Sequence, residues 1–321
     1  MTPSPDDSHS FQQAANGAPG GTLAIETHSL SKHFGQRKAV DGLTIGIPAG
    51  TIAGFIGPNG AGKTTTIRLL LGLVRPSSGS ATVLGNPISH PRTYLSRVGA
   101  LIESPAFYPS LSARTNLEVL AHLGGYPRSR VDQVLDVVEL GDRAQDSVSK
   151  YSLGMKQRLG VAMALLPDPD LLILDEPANG LDPLGIIGTR DLLRRLREQG
   201  KTIFLSSHLL GELEQVADWL VMIHQGKALY NGPARAFFDQ RSALIVETED
   251  AARRDLVAEI ARAAGYTVTA DNDALTIVCP LDFAAELKRQ ASEAGVAHLT
   301  IRAKETSFEE RFLTLLKGEP R

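Results

Sequence analysis

Apolar residues recur along this chain in two periods, and their alternation lays out the elements. Residues 23–27 and 43–47 alternate apolar with polar, as half-buried strands do. Residues 51–56, 98–102 and 171–174 are largely apolar runs, the pattern of strands buried on both faces, and 201–205 reads as another buried strand. A further strand is predicted at 80–84, after the turn Pro76-Ser77-Ser78-Gly79. From about 111 to 141 the period becomes helical: Leu117, Leu120 and Ala121 recur, then Val131, Val134, Leu135 and Val138, with Gly141 as the stop. A second helical stretch opens at Tyr151 and runs through Ala164 before Pro167 and Pro169 break it. Asp182 is placed to cap a third, with Pro183 at its first position and Gly200 past its end. Residues 221–224 and 228–231 read as a hairpin around Gln225-Gly226.

After about 240 the order becomes strand 243–248, helix 251–264, strands 266–270 and 275–278, helix 282–294, strand 297–302 and a last helix 307–317. That is a β-α-β-β-α-β, ferredoxin-like arrangement, and no catalytic constellation is visible in it. Residues 1–21 are polar and rich in Ser, Gly, Pro and Gln, which predicts a disordered tail. The expected organisation is therefore an N-terminal tail 1–21, an α/β domain 22–240 with a helical insertion at about 104–165, and a small α+β domain 241–321.

The chemistry is concentrated after the strand at 51–56. Gly57-Pro58-Asn59-Gly60-Ala61-Gly62-Lys63-Thr64 fits G-x-x-x-x-G-K-[ST], and Thr65 continues into a helix. A strand, a glycine-rich loop and a helix start in that order form a phosphate cradle. The glycines let backbone approach the ligand, and the free N–H groups of the first turn face an anion. Lys63 is expected on the β- and γ-phosphates of a nucleoside triphosphate, and Thr64 on Mg²⁺. The run at 171–174 ends in Asp175-Glu176, two acids at the carboxyl edge of a parallel sheet. Asp175 can hold Mg²⁺ through its water shell, and Glu176 can accept a proton from attacking water. His208 ends another buried strand, where it can face the γ-phosphate. Phe34 is an aromatic that could stack on an adenine, with plain core the alternative.

Composition narrows the partners. A net charge of −3 leaves no bulk basic field for nucleic acid, and Arg190, Arg194, Arg195 and Arg197 are read as a solvated helix face. The single Cys279 excludes an internal disulfide framework and Cys-based zinc sites, which fits a reducing compartment. No signal-peptide pattern is present, and the longest apolar stretch, 159–174, is interrupted by Pro167-Asp168-Pro169-Asp170. Any service to a membrane is expected to run through a partner.

Taken in order, the phosphate loop, Tyr151-Ser152-Leu153-Gly154-Met155, the acidic strand end, Asn179-Gly180-Leu181-Asp182 and His208 resemble the motifs of ATP-binding-cassette (ABC) transporter ATPases, over roughly residues 22–235. The resemblance implies an α/β P-loop core with an antiparallel β subdomain and a helical subdomain. It also implies a nucleotide sandwich dimer in which Ser152 and the Gly154 amide reach the γ-phosphate bound by a second copy. Under it, Phe34 is the adenine-stacking aromatic, residues 57–65 and Asp182 are nucleotide contacts, Glu176 is the catalytic base and His208 the γ-phosphate switch. The cofactors are ATP and Mg²⁺.

Two departures stand out. The signature reads Tyr-Ser-Leu-Gly-Met where the family has Leu-Ser-Gly-Gly-Gln, and Glu103 falls where most members carry a Gln that touches Mg²⁺ and the membrane partner. The surrounding residues 99–108 look like the ABC proteins of bacitracin resistance and lantibiotic immunity, and Ser307-Phe308-Glu309-Glu310-Arg311-Phe312 resembles the tail of multidrug exporter ATPases. The expectation is the ATPase subunit of an exporter, on the cytoplasmic face of the membrane, paired with a separate permease and removing an antibiotic, drug or peptide. An importer whose C-terminal domain senses substrate is the leading alternative. A non-transport ABC protein is disfavoured, because neither a second cassette nor a long coiled coil is present.

Overall fold

A computed structural model describes residues 22–102, 106–208, 210–239, 242–271, 274–296 and 298–305. Glu103, the tail 1–21 and the predicted helix at 307–317 lie outside them. The chain separates into two compact units after Ala234.

The first unit begins with an antiparallel sheet. Strands β1 (Leu23–Phe34) and β2 (Arg37–Pro48) pair as a long hairpin, followed by β4 (Ser78–Val83) and β5 (Asn86–Pro87), in the order β2-β1-β4-β5. The hairpin is longer than the alternating runs predict. Several register shifts bend it, and the added residues carry Phe34 to its tip.

The second sheet is the one that positions the site. Its order is β10-β9-β3-β8-β7-β6, from β3 (Ile52–Ile56), β6 (Val98–Leu101), β7 (Leu171–Asp175), β8 (Thr202–Ser207), β9 (Trp219–His224) and β10 (Lys227–Pro233). The pairs between β9 and β6 are parallel, and only the β9–β10 hairpin is antiparallel. Every residue of β3 and β7 is buried, as their unbroken apolar sequence requires. Phe55 and Phe204 meet across the β3–β8 pair with ring centroids 5.0 Å apart. Helix α1 (Lys63–Leu70) packs Ile67, Leu69 and Leu70 into the same core.

The insertion is helical, with α2 (Ala113–Gly124), α3 (Ser129–Val137) and α4 (Leu153–Leu165). The last of these starts at Leu153 rather than Tyr151, because Ser152 takes the capping position and its Oγ accepts from the Met155 N–H at 3.3 Å. Helix α4 lies close on β6: a Cβ on Gly99 would sit 2.0 Å from the Ala164 carbonyl oxygen, so only glycine allows that approach. Helix α5 (Pro183–Glu198) is capped as its sequence predicts, Asp182 Oδ1 accepting from Gly185 N–H at 2.8 Å. Its arginines are drawn into local pairs: Arg194 with Asp191, Arg197 with Asp218, and Arg195 with Glu139 at 2.8 Å. Glu139 also takes Arg158 of α4 at 3.2 Å, so one carboxylate joins the helical layer to a helix of the core. Helix α6 (Leu210–Glu214) follows β8 and lays Leu213 against Gly54 of β3.

Tyr94 is wholly buried beneath α1, and its hydroxyl donates to the Leu70 carbonyl at 2.8 Å. Burial pushes its pKa up from 10.0 to about 12. A raised folded-state value stabilises the fold fully below pH 10, and that contribution is lost as pH rises through about 12. We expect Tyr94→Phe to cost about 1 kcal/mol at neutral pH, from the stranded Leu70 carbonyl. We also expect the variant to lose the wild-type decline between pH 10 and 12. Denaturant titration followed through the single Trp219, which lies in this unit, measures both effects.

Past α7 (Ala234–Asp239), the second unit comprises β11 (Ser242–Thr248), α8 (Ala251–Ala263), β12 (Thr267–Asp271), β13 (Ala274–Val278), α9 (Phe283–Glu293) and β14 (Leu299–Glu305). The sheet order β12-β13-β11-β14, antiparallel throughout, is that of a ferredoxin-like fold. Its own core gathers Leu244, Val246, Val257, Leu275, Ile277 and Leu287.

Candidate functional site

Three neighbouring strands deliver the site. The glycine-rich loop leaves the carboxyl end of β3, His208 follows β8, and Asp175-Glu176 closes β7. Their convergence opens a cleft of about 590 Å³ whose walls include the loop, Phe34, Glu176, Asn179 and His208. This is the crevice outside the carboxyl ends of strands where open α/β sheets take ligands.

The loop is shaped by its glycines. A Cβ on Gly57 would lie 2.4 Å from the Ile223 carbonyl oxygen, and one on Gly62 would lie 2.3 Å from that of Ala39. Gly62 also has φ +111°, a conformation other residues rarely adopt. Gly226 N–H donates to the Ala61 carbonyl at 2.9 Å, tying the loop to the β9–β10 turn. Gly62 caps α1 without a side chain, which leaves the first-turn N–H groups facing the cleft.

Lys63 is only 7% exposed, with Nζ 2.7 Å from the Gly57 carbonyl and 3.4 Å from Glu176 Oε1. The other carboxylate oxygen of Glu176 lies 2.6 Å from His208 Nδ1. Glu176 thus sits between two groups that can both bear positive charge. Its backbone has φ +51°, strained for a residue with a side chain, and its N–H donates to Ser206 Oγ at 2.9 Å. Asp175 is buried; it accepts from Thr64 Oγ1 at 2.9 Å and from the Ser206 hydroxyl. Thr64 and Asp175 together offer hard oxygens of the kind Mg²⁺ prefers. No cluster of three or more His, Cys, Asp or Glu able to hold a metal occurs among the described residues.

Phe34 is 52% exposed on the cleft wall, so it is not core, and Lys32 Nζ sits 5.0 Å from its ring centroid. Pro58, Asn59, Gly60, Gly62, Thr64 and Thr65 line the same cleft. Ser152, Gly154 and Asp182 do not line it. Ser152 and Gly154 stand at the start of α4 and Asp182 at the start of α5, where Leu181 approaches Gly154. Glu103 lies outside the described residues.

Sequence reasoning passed over three contributors. Ser206 locks Asp175 and the Glu176 amide, and its only signal is its place two residues before His208. Arg37 lines the cleft and Lys32 stands over the Phe34 ring, both placed by the added length of the β1–β2 hairpin, which the alternating pattern did not cover.

Residues 40–179 match the family model described as "ABC transporter". A bacitracin transport ATP-binding protein of Bacillus licheniformis is 41% identical over 92% of this chain and 97% of its own length. A daunorubicin/doxorubicin resistance ATP-binding protein of Streptomyces peucetius is 35% identical over 93% of this chain and 94% of its own. Among solved structures, the ATP-binding subunit of an ABC transporter superposes with a TM-score of 0.60 at 30% identity, covering 67% of this chain and 91% of that one.

Proposed function

The chain belongs to the ABC transporter family as an ATP-hydrolysing subunit, and on that premise we propose that it drives export of an antibiotic, drug or peptide through a separately encoded membrane permease. The observation that carries the proposal is the length of the bacitracin transport match. It runs over 309 residues, well beyond the catalytic unit, in a relative named for transport of a peptide antibiotic. The drug-resistance relative spans a similar length.

In this reading Phe34 stacks on adenine, and Asn59 to Thr65 wrap the phosphates with backbone N–H groups. Lys63 carries the charge that develops on the β- and γ-phosphate oxygens. Thr64 and Asp175 would hold Mg²⁺, Glu103 is assigned to the same ion from its place in the sequence motif, and the ion supplies further charge stabilisation when bound. Glu176 takes the proton of the attacking water, and His208 turns from Glu176 toward the γ-phosphate. Ser152 and Gly154, at the start of α4 and off the cleft of their own chain, act on the nucleotide of a second copy. Asp182 joins that dimer contact. No described helix is long and apolar enough to cross a membrane. In this reading the subunit works at the cytoplasmic face, through the permease.

The test is to recover tagged Glu176→Gln protein from detergent-solubilised membranes of its own cells in MgATP and identify what accompanies it. A polytopic permease without an extracytoplasmic binding protein is the expected result. A binding protein in the complex would turn the reading to import, and ribosomal or DNA-repair partners without a permease would overturn transport.

A further inference from the structure

Beside the main cleft lies a second pocket of about 10 Å³, lined by Glu176, Asn179, Ser207, His208 and Glu212 among others. That volume is about what one water molecule needs. Glu212 stands in α6, four residues after His208, and the neighbouring Leu213 pins this helix to β3: a Cβ on Gly54 would meet Leu213 Cδ1 at 2.8 Å. One oxygen of the Glu212 carboxylate, Oε1, is buried and has no hydrogen-bond partner among the described residues. Buried polar atoms are nearly always satisfied, so an orphan acceptor at a one-water pocket points to the water. Two carboxylates share this wall, and water is the ligand that suits both, donating one hydrogen to each.

We propose that Glu212 is a positioning residue for the Glu176–His208 pair, acting through a single water held in this pocket. The proposal rests on the roles given to Glu176 and His208 above. The water fixes the rear of the Glu176 carboxylate while His208 Nδ1 holds its Oε2 at 2.6 Å, so carboxylate and imidazole are aimed as one unit. Electrostatics agree with the placement. Burial pushes the Glu212 carboxyl up, His208 draws it down, Glu176 raises it again, and Arg190 of α5 lowers it.

The experiment uses the full chain together with any membrane subunit that co-purifies, and compares Glu212→Ala, Glu212→Gln and His208→Ala with the double variant Glu212→Ala/His208→Ala. We expect Glu212→Ala to lower kcat about tenfold with KM for ATP changed less than about twofold, a loss confined to the transition state. The glutamine keeps an acceptor oxygen, so Glu212→Gln should recover to within about threefold of wild type. Adding Glu212→Ala to His208→Ala should cost almost nothing further, since both act through one unit. Wild-type kcat in Glu212→Ala, no recovery by Gln, or an undiminished loss in the double variant would overturn the proposal. So would a high-resolution crystal structure with no water in hydrogen-bond reach of Glu212 Oε1, a result that does not depend on any variant folding. Wild-type turnover in His208→Ala would instead remove the role of His208 on which the proposal rests.

Discussion

Glu176→Gln should abolish turnover and tighten nucleotide binding in the same molecule. Removing a general base costs about 10²–10⁴ in rate, so phosphate release should fall by at least about 100-fold. The binding effect follows from the geometry. The Glu176 carboxylate lies 3.4 Å from Lys63 Nζ and 2.6 Å from His208 Nδ1, as the internal anion of two groups that ATP must recruit. The amide keeps the shape and drops the charge, so a triphosphate no longer competes with it. A partly buried ion pair of this kind is worth about 1 kcal/mol, which corresponds to roughly fivefold in affinity. Calorimetric titration with MgATP and a phosphate-release assay read the two effects separately. Turnover at the wild-type rate would remove Glu176 as the base, and weakened binding would show that its charge is not a competitor.

Lys63→Ala should have the opposite signature. Its ammonium is almost fully buried, donates to the Gly57 carbonyl at 2.7 Å and is aimed across the mouth of the loop. A charge-assisted contact to phosphate is worth about 3 kcal/mol, so affinity for ATP should fall about 100-fold and hydrolysis with it. The variant leaves Glu176 facing the phosphates without an opposing lysine. Adding Glu176→Gln to Lys63→Ala should therefore restore part of the binding, though none of the turnover. If the double variant binds no better than Lys63→Ala, the two side chains are not coupled through the ligand. Thermal unfolding of each variant separates lost binding from lost fold.

Much of this arrangement is legible in the residues. The buried strands announce themselves because a strand covered on both faces must be apolar throughout, and β3 and β7 are. The phosphate loop is legible because glycine is compulsory where carbonyls stand 2.3–2.4 Å from a would-be Cβ, and the sequence keeps it there. The ferredoxin-like order of the second unit follows from element sequence alone, since connection rules leave few alternatives. The full reach of β1 and β2 was not legible: bulges interrupt the alternation, and the residues that complete the hairpin, Lys32 and Arg37 among them, fall between the two alternating runs. Nor were Ser206 and Glu212, whose meaning depends on what another strand or helix brings beside them. Side chains that act through neighbours leave no local pattern to read.

The carboxylate of Glu139, shared between Arg158 and Arg195, carries a mechanical consequence. All three side chains are partly exposed, so the link is soft: such pairs are worth about 1 kcal/mol or less, and salt weakens them. The helical layer bearing Ser152 is therefore latched to α5 strongly enough to have a preferred resting angle. The latch is also weak enough to slip at little cost, and ionic strength becomes a dial on how readily the layer swings.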